Sequence, residues 1–262
     1  MKKTDSFWDN VYSETSNQVQ SPFTKVMHDK IISLFPEGTS SILDAGCGAG
    51  ALLTTLDKEK KWDLTGIDLS EQGINYIKNN LNLNASVGSV TDIDFPDNSF
   101  DVVICSEVLE HLHINDIVKA LSELQRVAKH AVIITTPYKE DLNYHQVKCN
   151  NCKSSFHMAG HIWSPDELFF ENLLKDKNYK IYYSGDKEWR SSYFADFFRA
   201  IGGNVILMKN LKCHICHNPI ENRPHILRDT LFKSYVAFQL LLKSLNIGIK
   251  PANIIIKIDK ER

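Results

Sequence analysis

The chain has 262 residues, 43% of them apolar and 24% charged, with a formal net charge of −2, values that suit a globular protein with a sizeable core. No uncharged apolar run approaches the ~20 residues a bilayer-spanning helix needs. Met1-Lys2-Lys3-Thr4-Asp5-Ser6 has no apolar region behind its lysines, so no secretory signal is read and the expected compartment is the cytoplasm. The charge is uneven. From Val205 onward 10 Lys+Arg stand against 4 Asp+Glu, whereas the first 204 residues carry 20 against 28. A basic tail on an acidic body suits phosphates, an anionic substrate or a membrane surface, and reads first as a solvated helix face.

Residues 5–20 are polar, punctuated by Phe7, Trp8 and Tyr12, and Pro22 to Leu34 has helical spacing. Ser41-Ile42-Leu43-Asp44-Ala45 then reads as an apolar strand running into the turn Gly46-Cys47-Gly48-Ala49-Gly50, which opens a helix over Ala51 to Leu56. Alternate glycines let the backbone approach a ligand and present amide N–H groups at a helix start. A second strand, Asp63 to Ile67, ends at Asp68, where a carboxylate can take both hydroxyls of a ribose. Ser70 is the predicted N-cap of a helix marked by Ile74, Ile77, Leu81 and Leu83. Ala85 to Gly88 is a short third strand, Val102 to Cys105 a fourth, and Asn115 or Asp116 caps a helix running to Lys129. Ala131 to Thr135 is the fifth strand. Strands alternating with helices at this pace predict a parallel sheet covered on both faces.

After Pro137 the rhythm breaks. Residues 138–162 are polar, rich in Cys and His, and not periodic. Ser164-Pro165-Asp166-Glu167-Leu168 starts a helix, Tyr179 to Tyr183 is strand-like, and the last strand spans Ala252 to Ile258. Leu231, Tyr235, Phe238, Leu242 and Leu245 recur at i, i+4, i+7, i+11 and i+14, a stripe that suits core packing, a dimer seam or peripheral membrane contact through residues 229–246.

Gly46-x-Gly48-x-x-Ala51 alone also fits a dinucleotide fingerprint. Four motifs in order tilt the choice: Asp44-x-Gly46-x-Gly48-x-Gly50, Ile67-Asp68-Leu69-Ser70, Phe95 to Asp101 leading into strand four, and Ser106-Glu107-Val108-Leu109-Glu110-His111-Leu112 after it. Together these resemble the class I S-adenosylmethionine-dependent methyltransferases, well over residues 7–137 and more loosely over 160–184, with a likeness to the ubiquinone-type branch. The resemblance implies a Rossmann-like α/β fold with a seven-stranded, mostly parallel sheet. Its core covers about 22–137, 164–184 and 252–258, and residues 138–163 and 187–250 are insertions in a single domain.

The resemblance also assigns roles. Asp44 and the loop of Gly46, Cys47, Gly48 and Gly50 hold the methionine end of S-adenosylmethionine, and Asp68 takes the ribose with Leu69 beside it. Ser89 and Val90 stand where the family contacts adenine, with Asp92 as a substitute, and Ser106 closes the set. As side chains, Cys47 and Cys105 read as small buried fillers. On a helical turn Glu107, Glu110 and His111 would share one face, able to hold a divalent metal or supply a general base, so Glu110 and His111 are the catalytic candidates. The same segment resembles ubiquinone-type O-methyltransferases and small-RNA 3′-end methyltransferases.

Cys149-x-x-Cys152 and Cys213-x-x-Cys216 use four of the six cysteines. Two such pairs predict four thiolates around a structural, tetrahedral zinc, provided the two insertions meet in space. A local set of Cys149, Cys152, His157 and His161, mixtures using His214 or His217, and redox thiols are the alternatives. His161 lies in Gly160-His161-Ile162-Trp163, which resembles a family loop beside the acceptor pocket. Three functions follow. The first is methyl transfer to oxygen of a small-molecule or sugar-containing acceptor. The second is RNA methylation, with nucleic acid as partner. The third is a zinc-stabilised cofactor-binding protein without activity.

Overall fold

Four segments of near-continuous apolar sequence build the sheet: β1 (Ser41–Ala45), β4 (Phe100–Ser106), β5 (Ala128–Pro137) and β9 (Lys250–Asp259). Such runs belong to strands buried on both faces. Ile42, Leu43, Val102 to Cys105, Val132 to Ile134 and Ile254 to Ile256 are buried accordingly. The computed structural model describes residues 22–187, 211–220, 226–244 and 250–260, together with Phe197. Phe7, Trp8 and Tyr12 lie outside them. The chain divides into two compact units, in each case as far as the residues are described. The first comprises Met1–Tyr138, Pro165–Gly185 and Asn253–Arg262, and the second Lys139–Ser164 and Asp186–Ala252.

The seven-stranded sheet is ordered β3-β2-β1-β4-β5-β9-β8, with β2 (Asp63–Asp68), β3 (Asn84–Val87) and β8 (Tyr179–Lys187) completing it. β1, β2, β3, β4 and β5 pair in parallel and β9 returns antiparallel to β5. This is the Rossmann-like sheet expected from the sequence. Helix α1 (Pro22–Ile32) turns Met27 and Ile31 inward, against Leu52, Leu53 and Leu56 of α2 (Ala51–Asp57) and Ile74 of α3 (Glu71–Tyr76). Ser70 caps α3 as predicted, its hydroxyl accepting from Gly73 N–H, and the helix widens into a π turn over Ile77–Leu81 that ends on left-handed Asn82.

Helix α4 (Ile114–Val127) packs Ile117, Leu121 and Leu124 inward and starts on His113 rather than Asn115 or Asp116, with no side-chain cap. The fifth strand begins at Ala128, so Lys129 is strand and not the last residue of the helix. Arg126 near the end of α4 clamps the segment before β4, donating to Ile93 O at 2.7 Å, Phe95 O at 2.8 Å and Asp97 Oδ1 at 2.9 Å. Helix α5 (Glu167–Leu173) is capped by Asp166, whose carboxylate accepts from Phe169 N–H.

The second unit contains a hairpin of β6 (Gln146–Lys148) and β7 (Ser155–His157), antiparallel, in the stretch whose sequence is not periodic. Its small core gathers Val147, Phe156, Met158, Leu211 and Ile220 around Cys149 and Cys213. Helix α6 (Ile226–Ser244) follows. Of its predicted stripe Tyr235 is buried, whereas Phe238 is 52% exposed, so the stripe is not a uniformly buried face. Leu245 lies outside the described residues. Among the described residues no helix is long and apolar enough to cross a membrane.

Candidate functional site

The strand order reverses between β1 and β4, and the parallel pairing brings their carboxyl ends to one edge. Asp44 is level with Ile104, Ala45 with Ile67 and Ser106 with Thr135. The crevice at such a reversal is where open α/β sheets bind ligands. Here the glycine turn leaves β1. Gly46, Gly48 and Gly50 have φ of 89°, 54° and 82°, a region L side chains seldom adopt. A Cβ on Gly46 would lie 2.3 Å from Val108 Cγ2, and one on Gly50 2.9 Å from Ile77 Cγ1. The turn therefore tolerates no larger residue at either position. Gly46 and Cys47 N–H both donate to Ile67 O, at 2.7 and 2.9 Å, binding the turn to β2.

Asp68 ends β2 and braces the crevice from its other side. Its Oδ2 accepts from Gly48 N–H at 2.8 Å and its Oδ1 from Ser70 N–H at 2.9 Å, and Gly88 N–H donates to its carbonyl at 3.0 Å. Asp44 is 2% exposed, and its Oδ2 has no hydrogen-bond partner among the described residues. Burial, seconded by the neighbouring Asp68 charge, pushes its pKa up to about 7. A buried carboxylate without a donor costs free energy unless it is protonated or meets a cation. Leu69 and Ser89 flank this edge half-buried and Val90 is buried, with Ser89 Oγ 2.8 Å from Thr91 Oγ1. Cys47 and Cys105 are buried thiols whose pKa burial drives up.

The Glu-His segment departs from its predicted geometry. Glu107, Glu110 and His111 do not share a helical face. Glu107 has φ of 58°, and only Leu109–His111 forms a short 3-10 turn. The left-handed residue turns the chain at the end of β4 and points Glu107 back toward the sheet. Its Oε1 accepts from Asn253 Nδ2 at 2.8 Å and Thr135 Oγ1 at 3.1 Å, while Ser106 Oγ lies 2.8 Å from Thr135 Oγ1. Glu110 is 1% exposed, whereas His111 is partly exposed. Glu110 thus sits inside the protein and His111 is half-buried. The sequence does not reveal the bonds of Thr135 and Asn253 to Glu107, since they span long separations. On the same unit Tyr138 and Tyr183 both donate to Glu167 Oε1, at 2.5 and 2.7 Å.

In the second unit the four cysteines converge as predicted. Cys149 Sγ is 3.6 Å from Cys216 Sγ and Cys152 Sγ is 3.5 Å from Cys213 Sγ. The two pairs lie on matching turns. Lys153 N–H donates to Cys149 O at 3.1 Å and His217 N–H to Cys213 O at 2.9 Å, and Lys153 and His217 are both left-handed, with φ of 62° and 57°. Zinc–thiolate bonds of ~2.3 Å place sulfurs about 3.8 Å apart, close to these separations. His157 and His161 stand at Glu140 instead, and His214 packs on the Phe156 ring at 4.1 Å between centroids.

Residues 42–131 match a family described as a methyltransferase domain. The chain contains a class I S-adenosylmethionine-dependent methyltransferase domain. An uncharacterized methyltransferase of Schizosaccharomyces pombe is 34% identical over 104 residues, 35% of this chain and 37% of that protein. A ubiquinone biosynthesis O-methyltransferase of Neisseria meningitidis serogroup C is 32% identical over 82 residues, 27% of this chain and 33% of that protein. The chain thus spans about a third of the length of these two curated relatives. A crystal structure of an S-adenosylmethionine-dependent methyltransferase from Archaeoglobus fulgidus superposes with a TM-score of 0.55 at 19% identity, covering 90% of this chain and 92% of that one, a likeness of fold. The methyltransferase domain thus carries the glycine turn, Asp44 and Asp68 at the edge where its fold binds ligands.

Proposed function

We propose that this chain transfers the methyl group of S-adenosylmethionine to an oxygen of a small-molecule or sugar-containing acceptor. One observation carries the reading: a buried Asp44 carboxylate whose Oδ2 has no hydrogen-bond partner among the described residues, beside three left-handed glycines at the sheet's reversal point. These residues fit the cofactor. Its ammonium group would meet the Asp44 charge, the glycine turn would take its methionine end and Asp68 its ribose, with Leu69, Ser89, Val90 and Ser106 around it. When bound, the cofactor supplies an electrophilic methyl on a cationic sulfur.

The chain's task is to hold the acceptor oxygen in line and take its proton; positioning of this kind is worth ~7–11 kcal/mol of a barrier. His111, half-buried at the end of the turn after β4, is the group assigned to accept the hydroxyl proton. Glu110 is buried and acts on the turn that carries His111 rather than on substrate. The partial match to a ubiquinone biosynthesis O-methyltransferase supports an oxygen acceptor. Four thiolates on a structural zinc would join the two insertions and leave no open position for catalysis.

RNA is the second reading, favoured by the positive surplus from Val205 onward. The test is transfer of labelled methyl groups from S-adenosylmethionine into a host-cell extract fractionated into RNA, glycan or lipid, protein and small molecules, with Asp68→Ala and His111→Ala beside the wild type. Label in small molecules or glycans, lost in both variants, supports the proposal. Label in RNA with steep salt dependence of substrate binding replaces it by the second reading. Tight cofactor binding without label in any fraction marks a binding protein without turnover.

A further inference from the structure

The second unit holds another cluster, not used by the cysteines. Glu140 lies among three imidazoles. Its Oε2 is 2.5 Å from His161 Nδ1, while its Oε1 is 3.3 Å from His145 Nδ1 and 3.6 Å from His157 Nε2. The side chains of His157 and Glu140 are 2% and 11% exposed. The donor atoms of Glu140, His145 and His157 all fall within 4.8 Å of one another.

The distances sort the contacts into two kinds. At 2.5 Å the His161 contact is a hydrogen bond, whereas 3.3 and 3.6 Å are long for one. They suit the edges of a coordination tetrahedron, since metal bonds of ~2.0–2.1 Å to nitrogen and oxygen set neighbouring donors about 3.3 Å apart. The hairpin produces this arrangement. His145 immediately precedes β6 and His157 ends β7, Met158 N–H donates to His145 O at 2.9 Å, and the two rings stand 5.5 Å apart at their centroids. Glu140 is anchored by its backbone N–H on Ser164 Oγ. Its outer oxygen is held by His161, as partners of a metal-bound carboxylate commonly do.

We propose that Glu140, His145 and His157 bind a divalent ion of the zinc or cobalt kind, separate from the four-thiolate cluster, with His161 orienting the carboxylate and the fourth position left to water. Ligation through Nε2 requires the His157 proton on Nδ1. The His161 amide donates to that nitrogen at 3.2 Å, so ligation requires this bond to be given up.

The test is Co2+ titration of the full chain followed by visible spectroscopy, together with metal content after dialysis against Zn2+. Beside any equivalent that gives thiolate-to-cobalt charge transfer, the wild type takes up one further equivalent with ligand-field bands alone. Glu140→Gln and His145→Asn each lose that equivalent and keep any thiolate signal, with unchanged circular dichroism; His145 sits partly exposed in a turn, so its variant retains the fold. A wild-type chain showing no equivalent without thiolate character, or variants that retain it, overturns the proposal.

Discussion

Asp44→Asn should make the ligand-free protein more stable at pH 8 while weakening cofactor binding. In the folded chain the Asp44 proton is held to about 7, from an ordinary value of 3.8, by burial first and the Asp68 charge second. The unfolded chain releases that proton near 4. Between these values the folded state binds more protons than the unfolded, so stability falls as pH rises and levels off above about 7. A shift of this size corresponds to about 4 kcal/mol at full ionisation, as an upper bound. Asparagine keeps the shape without the charge. Its amide needs an acceptor, but that cost is the same at every pH and appears alone at pH 4. Urea unfolding of both proteins at pH 4, 6 and 8 therefore isolates the ionisation term. The gap should move in favour of the variant by roughly 2–4 kcal/mol between the extremes. Calorimetric titration at pH 8 should show weaker S-adenosylmethionine binding by the variant. A gap that stays constant with pH would refute the reasoning, because it would mean that Asp44 ionises in the folded protein as freely as in the unfolded one.

Gly46→Ala should cost about 2–4 kcal/mol, from a backbone at φ 89° and a Cβ 2.3 Å from Val108 Cγ2. In a denaturation double-mutant cycle Val108→Ala should recover the collision but not the strain. Asp101, whose Oδ2 accepts from Ser40 N–H, Ser40 Oγ and Ser41 N–H, is held near 2 because these bonds outweigh the upward push of burial. It should contribute about 2 kcal/mol above pH 4, lost as pH falls through 2, and Asp101→Asn should flatten that acid limb in unfolding curves. With the proposed zinc on the four thiolates, its removal by a strong chelator, or Cys213→Ser with Cys216→Ser, should open the hairpin of β6 and β7 to limited proteolysis within 139–164 while the first unit resists, since a core this small would lean on such a cross-link.

The turn at the carboxyl edge of the sheet was legible because it is local: Asp44, the glycines and Asp68 lie within one strand–turn–helix–strand unit. The Ser70 cap was legible for the same reason. The Glu107 error has a physical source: Glu, Glu and His at helical spacing carry no sign that the first residue will go left-handed, which the pairing of β4 with β5 dictates. Helix α4 begins on His113 without a side-chain cap, so residues that usually cap drew the predicted start two positions onward. The hairpin of β6 and β7 was invisible because three-residue strands have no period to read. Asn253 and Glu107 meet only because β9 returns beside β5. Glu140, His145 and His157 carried no pattern, for their proximity arises from the hairpin.

The position of β9 also sets an order on synthesis. Ile254, Ile255 and Ile256 pair with Thr136, Thr135 and Ile134 of β5, and β9 fills the place between β5 and β8. While the ribosome is still making residues 186–249, β5, paired with β4 on one side, presents its other edge with no partner yet made. Contacts of such long sequence separation form late, and an open apolar strand edge is a template for other chains. The nascent protein must therefore shield β5 through the whole of that interval, and its yield in cells should depend more on how that edge is guarded during translation than on the stability of the finished sheet.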